Sequence, residues 1–375
     1  MKLLYVTSLS GKRLNSFMRS AIVAAKNLNF EFTMACNADM ADKSGYEEDC
    51  REYGIKLEHI DFARNPLGLK NRKAKRQLLK LMREGQFDIV HCNTPIGGFL
   101  GRICAHKAGI KHVIYQAHGF HFWKGAPLKN WLFYYPVEWL LSAYTDVLVT
   151  IAKEDYETAK GLKAKNVSYI HGVGIDLNRY RRRDINDRNQ DLRKELGIPN
   201  NAIVLLSVGE LNKNKNHGIV IRALKKLDNR NIWYVICGAG SLKDKYTKLS
   251  SESGLSDRVI FAGFCSNVSE YYRMADLFVF PSLREGIPAS IMEAMAIGVP
   301  VIASDIRGIR DIIPNEKYRF IPSDVHDLKE TIKFSLKAYS EEDIENNISN
   351  LKEYKFDSVV SELRQLYLSC LEHRG

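Results

Sequence analysis

The chain has 375 residues, 45% hydrophobic and 26% charged, with 55 Lys+Arg against 44 Asp+Glu for a net charge of +11. That length exceeds the roughly 250–300 residues at which a single core stops growing, so two domains are expected. The composition is that of a globular protein, and no apolar run approaches the roughly 18–20 residues that span a bilayer. The opening Met1-Lys-Leu-Leu-Tyr-Val-Thr7 is too short for a signal peptide and reads as a strand, so a cytoplasmic protein is expected. The seven cysteines are scattered and form no Cys-x-x-Cys pair, which reads as buried free thiols rather than disulfides or a zinc site. Residues 1–180 hold 26 Lys+Arg and 17 Asp+Glu, a balance of +9; the other 29 and 27 give +2. The basic first half points to an anionic partner: a phosphorylated ligand, an acidic membrane surface or nucleic acid.

Short apolar runs alternate with segments of helical period. Strands are predicted at 3–8, 31–36, 88–92, 112–117, 146–151 and 167–171, with amphipathic helices at 71–84, 98–108 and 128–143. A polar, turn-rich stretch at 178–200 interrupts the pattern. It resumes with strands at 203–208, 232–237, 258–262, 277–281 and 299–303, then helices at 326–339 and 357–371. Such alternation predicts doubly wound parallel sheets, here two Rossmann-like domains at 1–180 and 181–355. The last segment, 356–375, is expected to pack back on the first domain.

The segment 275–304 concentrates the chemistry. Strand 277–280 leads into the turn Pro281-Ser-Leu-Arg-Glu-Gly-Ile287. Pro288 stands where a first helical residue is expected, and Gly298 with Pro300 stops that helix. Ligands of open parallel sheets bind beyond the carboxyl ends of strands. Free amides of Gly286 and Ile287 at a helix start would suit a diphosphate, and Gly286 permits close approach of the backbone. Glu285 and Glu293 lie eight positions apart. Glu293, among apolar neighbours, needs a partner if it faces inward, and sugar hydroxyls would serve; otherwise both are solvated charges.

Glu285-x7-Glu293 after strand-Pro-Ser, the turn Gly238-Ala-Gly240 and the start Ser207-Val-Gly-Glu-Leu211 resemble the retaining glycosyltransferases of family four. The stretch Tyr115-Gln-Ala-His-Gly-Phe-His-Phe-Trp-Lys-Gly-Ala-Pro-Leu128 is similar to the branch that builds capsular polysaccharide and exopolysaccharide. The resemblance spans nearly the whole chain. It implies the GT-B fold, two Rossmann-like domains whose parallel sheets face across a cleft, and a nucleotide-sugar donor, expected to be a UDP-sugar. Glu293 would bind the ribose hydroxyls, and Glu285 would lie beside the transferred sugar with the Gly286–Ile287 backbone. Lys215 matches the lysine that grips the diphosphate, whereas Glu210 stands where many relatives have arginine; either Lys213 or Arg284 would substitute, or donor binding would lean more on backbone amides. Gly209, Gly238 and Gly240 would border the nucleotide, and Ser10 and Gly11 would face the donor phosphate. His118 matches the histidine near the reacting sugar, with His121 as its rival. The implied catalysis uses neither metal nor cofactor, and no Asp-x-Asp cluster stands at a strand end.

Two further features bear on the acceptor, expected to be a lipid-linked saccharide. Arg72, Lys73, Lys75 and Arg76 crowd a helix that carries Leu78, Leu79 and Leu81, a pattern suited to an anionic membrane face. Trp123 belongs to an aromatic run from Phe120 to Trp139 that reads either as core or as a membrane-interface belt. Peripheral contact with the inner membrane face is therefore expected, and nucleic acid is not. A non-hydrolysing sugar-nucleotide epimerase and a non-catalytic sugar-nucleotide-binding subunit remain the alternatives.

Overall fold

The computed structural model describes residues 1–8, 13–39, 43–63, 68, 70–180 and 189–372, apart from the side chains of 43, 44, 178, 371 and 372. Ser10 and Gly11, singled out above, lie outside the described residues, as does 181–188 of the polar stretch. The chain divides into two units, Met1–Gly174 with Phe356–Gly375, and Ile175–Lys355.

The first unit is built on a parallel sheet of β1 (Lys2–Val6), β2 (Glu31–Cys36), β3 (Lys56–His59), β4 (Ile89–Asn93), β5 (His112–Ala117), β6 (Val147–Thr150) and β7 (Asn166–Tyr169). Their spatial order is β3-β2-β1-β4-β5-β6-β7. β1, β4, β5 and β6 are buried along nearly their whole length, as expected of parallel strands covered on both faces. Helices Lys70–Gly85, Pro95–Ala108 and Leu128–Ser142 follow one another over one face. Ala74, Leu78 and Met82 of the first and Leu100 and Cys104 of the second join one apolar cluster with Val90 and Tyr115. Helix Phe356–Glu372 packs on Ser16–Lys26, and its Tyr367 hydroxyl lies 2.8 Å from Nδ1 of the buried His91.

The second unit holds β8 (Ile203–Val208), β9 (Ile232–Cys237), β10 (Val259–Gly263), β11 (Leu277–Phe280), β12 (Val301–Ser304) and β13 (Arg319–Phe320), ordered β10-β9-β8-β11-β12-β13 and again parallel. β3 and the two-residue β13 carry no apolar run of their own and were not predicted. A buried ion pair braces this unit: Arg193 Nη2 lies 2.8 Å from Asp276 Oδ2 and donates also to the Met274 carbonyl. Helix Ala289–Ile297 begins one residue later than expected, with Pro288 in extended conformation as its N-cap. Gly298, at φ 85°, ends it in the left-handed conformation that favours glycine.

Candidate active site

In each sheet the strand order reverses direction once, between β1 and β4 in the first unit and between β8 and β11 in the second. The loops leaving such a pair diverge to opposite sides of the sheet, and ligands of doubly wound folds bind in the crevice between them. Of the site residues expected from sequence, Lys215 and Glu285 leave the switch-point strands of the second unit, Gly238 and Gly240 follow β9, and His118 follows β5 of the first unit.

In the second unit the loop after β8 carries Lys215 and the loop after β11 carries Glu285. They meet: Lys215 Nζ lies 2.8 Å from Glu285 Oε1, with both side chains about one-fifth exposed. Asn214 Nδ2 donates to the same Oε1 at 3.1 Å and to the Arg284 carbonyl at 2.9 Å, while the Leu283 amide donates to the Asn214 carbonyl. The two loops are thus stitched together across the switch point. The Lys215 ammonium also lies 4.8 Å from the centre of the Phe280 ring, which helps hold the cation at the sheet edge. Glu210, Lys213 and Arg284 are all exposed on these loops.

The glycines here serve close packing. A Cβ on Gly238 would lie 1.9 Å from the Gly209 carbonyl oxygen, and one on Gly240 would lie 2.5 Å from that of Leu211. The Leu211 amide donates to the Ala239 carbonyl, so the loops after β8 and β9 run in contact. Gly209 in turn lies against the Lys215 side chain. The Gly286 carbonyl is covered by Gly308, where a Cβ would approach to 1.9 Å. Because the helix starts at Ala289, the Gly286 and Ile287 amides precede its first turn instead of forming it.

Glu293 lies in the second turn of helix Ala289–Ile297 and is half-buried. The Tyr272 hydroxyl donates to its Oε2 at 2.9 Å, and the Tyr180 hydroxyl also hydrogen-bonds it. Burial raises its pKa, opposed by these two hydrogen bonds and the nearby Arg179 guanidinium. A carboxylate has about four lone-pair sites, so two tyrosine hydroxyls leave acceptor capacity for a ligand. Tyr272, Tyr180 and Asn214 were not picked out from sequence. Tyr272 reads as an ordinary core aromatic, and Tyr180 precedes a polar stretch with no periodicity to place it.

In the first unit His118 follows β5. Its Nε2 lies 2.9 Å from Asn93 Oδ1 at the end of β4, and its ring lies 4.8 Å from that of Phe17. Burial lowers its pKa to about 4, so the ring is neutral near pH 7 and acts there as a hydrogen-bonding group. Asn93 is fully buried, and its Nδ2 has no hydrogen-bond partner among the described residues. Beside it Thr94 adopts φ 64°, an unusual conformation for a β-branched residue. Thr94 Oγ1 accepts from the Ser8 amide at 2.9 Å, joining the ends of β1 and β4. His121 has other surroundings: its ring stacks on Tyr134 at 4.7 Å and its carbonyl accepts from Asn130.

The residues expected to meet the acceptor divide. Arg72 and Arg76 are exposed, Lys75 is half-buried, and Lys73 is held 2.8 Å from Asp61. Trp123 is half-buried, while Phe120 and Phe122 stack in the core. Among the described residues no group of three His, Cys, Asp or Glu side chains could hold a metal ion, and no helix is long and apolar enough to cross a membrane.

Two parallel α/β sheets, each with loops at the carboxyl ends of its strands, are the architecture of the GT-B fold, and the comparisons agree. Residues 188–352 match the model of glycosyl transferases group 1, and residues 2–151 match that of glycosyl transferase 4-like proteins. The chain is 42% identical over 269 residues to "Putative glycosyltransferase EpsD" of Bacillus subtilis (strain 168), covering 70% of each chain. It is 30% identical over 285 residues to the UDP-Gal:alpha-D-GlcNAc-diphosphoundecaprenol alpha-1,3-galactosyltransferase of Escherichia coli, covering 71% of this chain and 73% of that one. Among solved structures, Anabaena HepE in complex with UDP-glucose superposes with a TM-score of 0.79 at 19% identity, over 98% of this chain and all of that one. The lipopolysaccharide glycosyltransferase WaaG superposes with a TM-score of 0.67 at 16% identity, over the full length of both. The chain belongs to glycosyltransferase family four and is a glycosyltransferase.

Proposed function

We propose that this enzyme transfers a sugar from a UDP-sugar to a growing saccharide on a polyprenyl diphosphate, with retention of configuration, in capsular polysaccharide, exopolysaccharide or O-antigen assembly. The observation that carries the reading is the Lys215–Glu285 pair across the β8/β11 switch point. In this reading its cation stabilises the charge of the departing diphosphate and its carboxylate accepts from sugar hydroxyls. The E. coli relative, whose name specifies a UDP-galactose donor and a diphosphoundecaprenol-linked acceptor, supports the substrate classes. Staphylococcus aureus Protein CapJ, 30% identical over 187 residues, is a further relative.

In the proposed reaction the bond from the anomeric carbon to the donor diphosphate breaks as the acceptor hydroxyl oxygen bonds to that carbon on the same face. The acceptor proton passes to the leaving diphosphate. Lys215 stabilises the charge that develops on the diphosphate, Glu285 orients the transferred sugar and Glu293 holds the ribose. His118, neutral, hydrogen-bonds the donor sugar. No metal ion or cofactor is required, and the exposed cations of helix Lys70–Gly85 hold the enzyme to an anionic membrane face.

A thermal-shift panel of nucleotides and nucleotide sugars tests the donor, since a bound ligand stabilises by mass action. UDP and one UDP-sugar are expected to raise Tm, with the transfer rate unchanged by EDTA. Stabilisation by GDP or ADP alone would refute the donor assignment, and conversion of the donor without acceptor would mark an epimerase.

A further inference from the structure

The outer face of helix Leu128–Ser142 contradicts the rule that a surface helix turns polar residues to water. Its inner face is set by Trp131, Tyr135, Glu138 and Ser142, spaced four, three and four residues apart. Trp131 and Tyr135 pack against Phe122 at 5.4 and 5.3 Å between ring centres, and Ser142 is fully buried. Glu138 reaches inward to the fully buried Arg102, 2.9 Å away. Phe133 and Leu140, exposed by 73% and 59%, stand on the opposite face, and Leu128 and Leu132, exposed by 73% and 63%, on its flank. Four large exposed apolar side chains on one helix are of the kind that marks an interaction surface.

Charge decides what covers it. From His118 to Ala143 the chain has two cations, Lys124 and Lys129, and one acid, Glu138, which is turned inward. Lys163 adds a third cation, its ammonium 3.3 Å from the centre of the Trp139 ring. Glu154, which accepts from the Lys124 amide at 3.1 Å, sets one carboxylate beside these three lysines, so the rim is net cationic, with Trp and Tyr beside it. A second copy docking face to face would bring lysine against lysine, which disfavours association. An anionic lipid surface complements both parts, taking the apolar side chains into its acyl boundary and the lysines among its headgroups.

We infer that Leu128, Leu132, Phe133 and Leu140 insert into the headgroup–acyl boundary of an anionic membrane, with Lys124, Lys129 and Lys163 against its phosphates. This rests on the membrane contact proposed above and moves its anchor from the basic helix Lys70–Gly85 to the apolar one. The two helices flank Pro95–Ala108 on one face of the sheet, so the basic helix can add long-range attraction while the apolar helix supplies salt-resistant insertion.

Flotation of the full chain with phosphatidylglycerol–phosphatidylcholine vesicles tests it, comparing wild type, Leu132→Glu with Leu140→Glu, and Arg72→Glu with Arg76→Glu. All four substituted side chains are exposed, so the variants should keep the wild-type thermal shift with UDP. The apolar pair is expected to lose binding roughly tenfold or more at all salt concentrations, and the basic pair to lose it only at low salt. Bromine-labelled acyl chains should quench tryptophan fluorescence in wild type and not in the apolar variant. Flotation of the apolar variant equal to wild type would overturn the inference while leaving membrane contact through the basic helix standing. Failure of wild type to float would overturn both. A wild-type dimer by light scattering that Leu132→Glu with Leu140→Glu dissociates would assign the patch to a second copy instead.

Discussion

Lys215 and Glu285 are 70 residues apart in sequence and 2.8 Å apart in the folded unit. The ion pair means that without donor the lysine charge is already compensated, so a diphosphate must compete with Glu285 for it. Lys215→Ala is expected to lower kcat/KM by about two to three orders of magnitude, the usual loss on removing one donor to a developing anion. Glu285→Ala should act mainly on kcat, and Glu293→Ala mainly on UDP affinity, read by calorimetry. If transfer by the Glu285 variant equalled wild type, the role given to that carboxylate would be wrong. His118 offers a separate check through pH. With its pKa lowered to about 4 by burial, it stays neutral through the range in which a free histidine titrates. The acid limb of the rate profile therefore should contain no component near pH 6.5 that His118→Asn removes.

Tight loop packing, more than any single side chain, sets the site at the scale of elements. Gly238 meets the Gly209 carbonyl where a Cβ would lie at 1.9 Å, a backbone contact that cannot rotate away. Gly109, at φ +70°, has nothing within 4 Å of its added Cβ. Gly109→Ala should cost only the left-handed conformation, about 1–2 kcal/mol, whereas Gly238→Ala should cost more than about 3 kcal/mol and weaken donor binding together with stability. Urea unfolding of the two variants makes the comparison; equal losses would mean the loops can part without penalty. The same scale explains Arg193, whose replacement would remove the guanidinium partner of Asp276 and of the Met274 and Ala202 carbonyls.

Acid is expected to destabilise the whole molecule through its buried histidines. Burial holds His91 at about 3, and holds His118 and His217 at about 4, all below the ordinary value of 6.5. Each binds a proton more readily unfolded than folded, so stability is fully present above pH 6.5 and lost as pH falls toward the folded values. Between pH 6.5 and 5 the loss is about 2 kcal/mol for each fully buried histidine, from about 1.4 kcal/mol per pH unit. His91 belongs to the first unit and His217 to the second, so both should lose Tm together in calorimetry from pH 7 to 5. A Tm that is flat or rises over that range would show the imidazoles to be charged in the fold.

How much of this was legible depends on where the information lies along the chain. Alternating apolar runs and helical periods are local, so the strand–helix order, both parallel sheets and the position of Glu285-x7-Glu293 beyond a strand end could be read from sequence alone. So could Gly298 as a helix stop, because its left-handed conformation is a property of one residue. The pairing of Lys215 with Glu285, the tyrosines around Glu293 and the Asn93 partner of His118 could not, since each joins segments whose adjacency follows from strand order. Helix Leu128–Ser142 is the sharpest case. Its sequence reads as an amphipathic helix, yet large apolar residues stand on every side of it, so periodicity does not single out the inner face, and the aromatic run reads either as core or as interface. Only packing against Phe122 and Arg102 decided which side faces the core, and thereby left Leu128, Leu132, Phe133 and Leu140 on the surface.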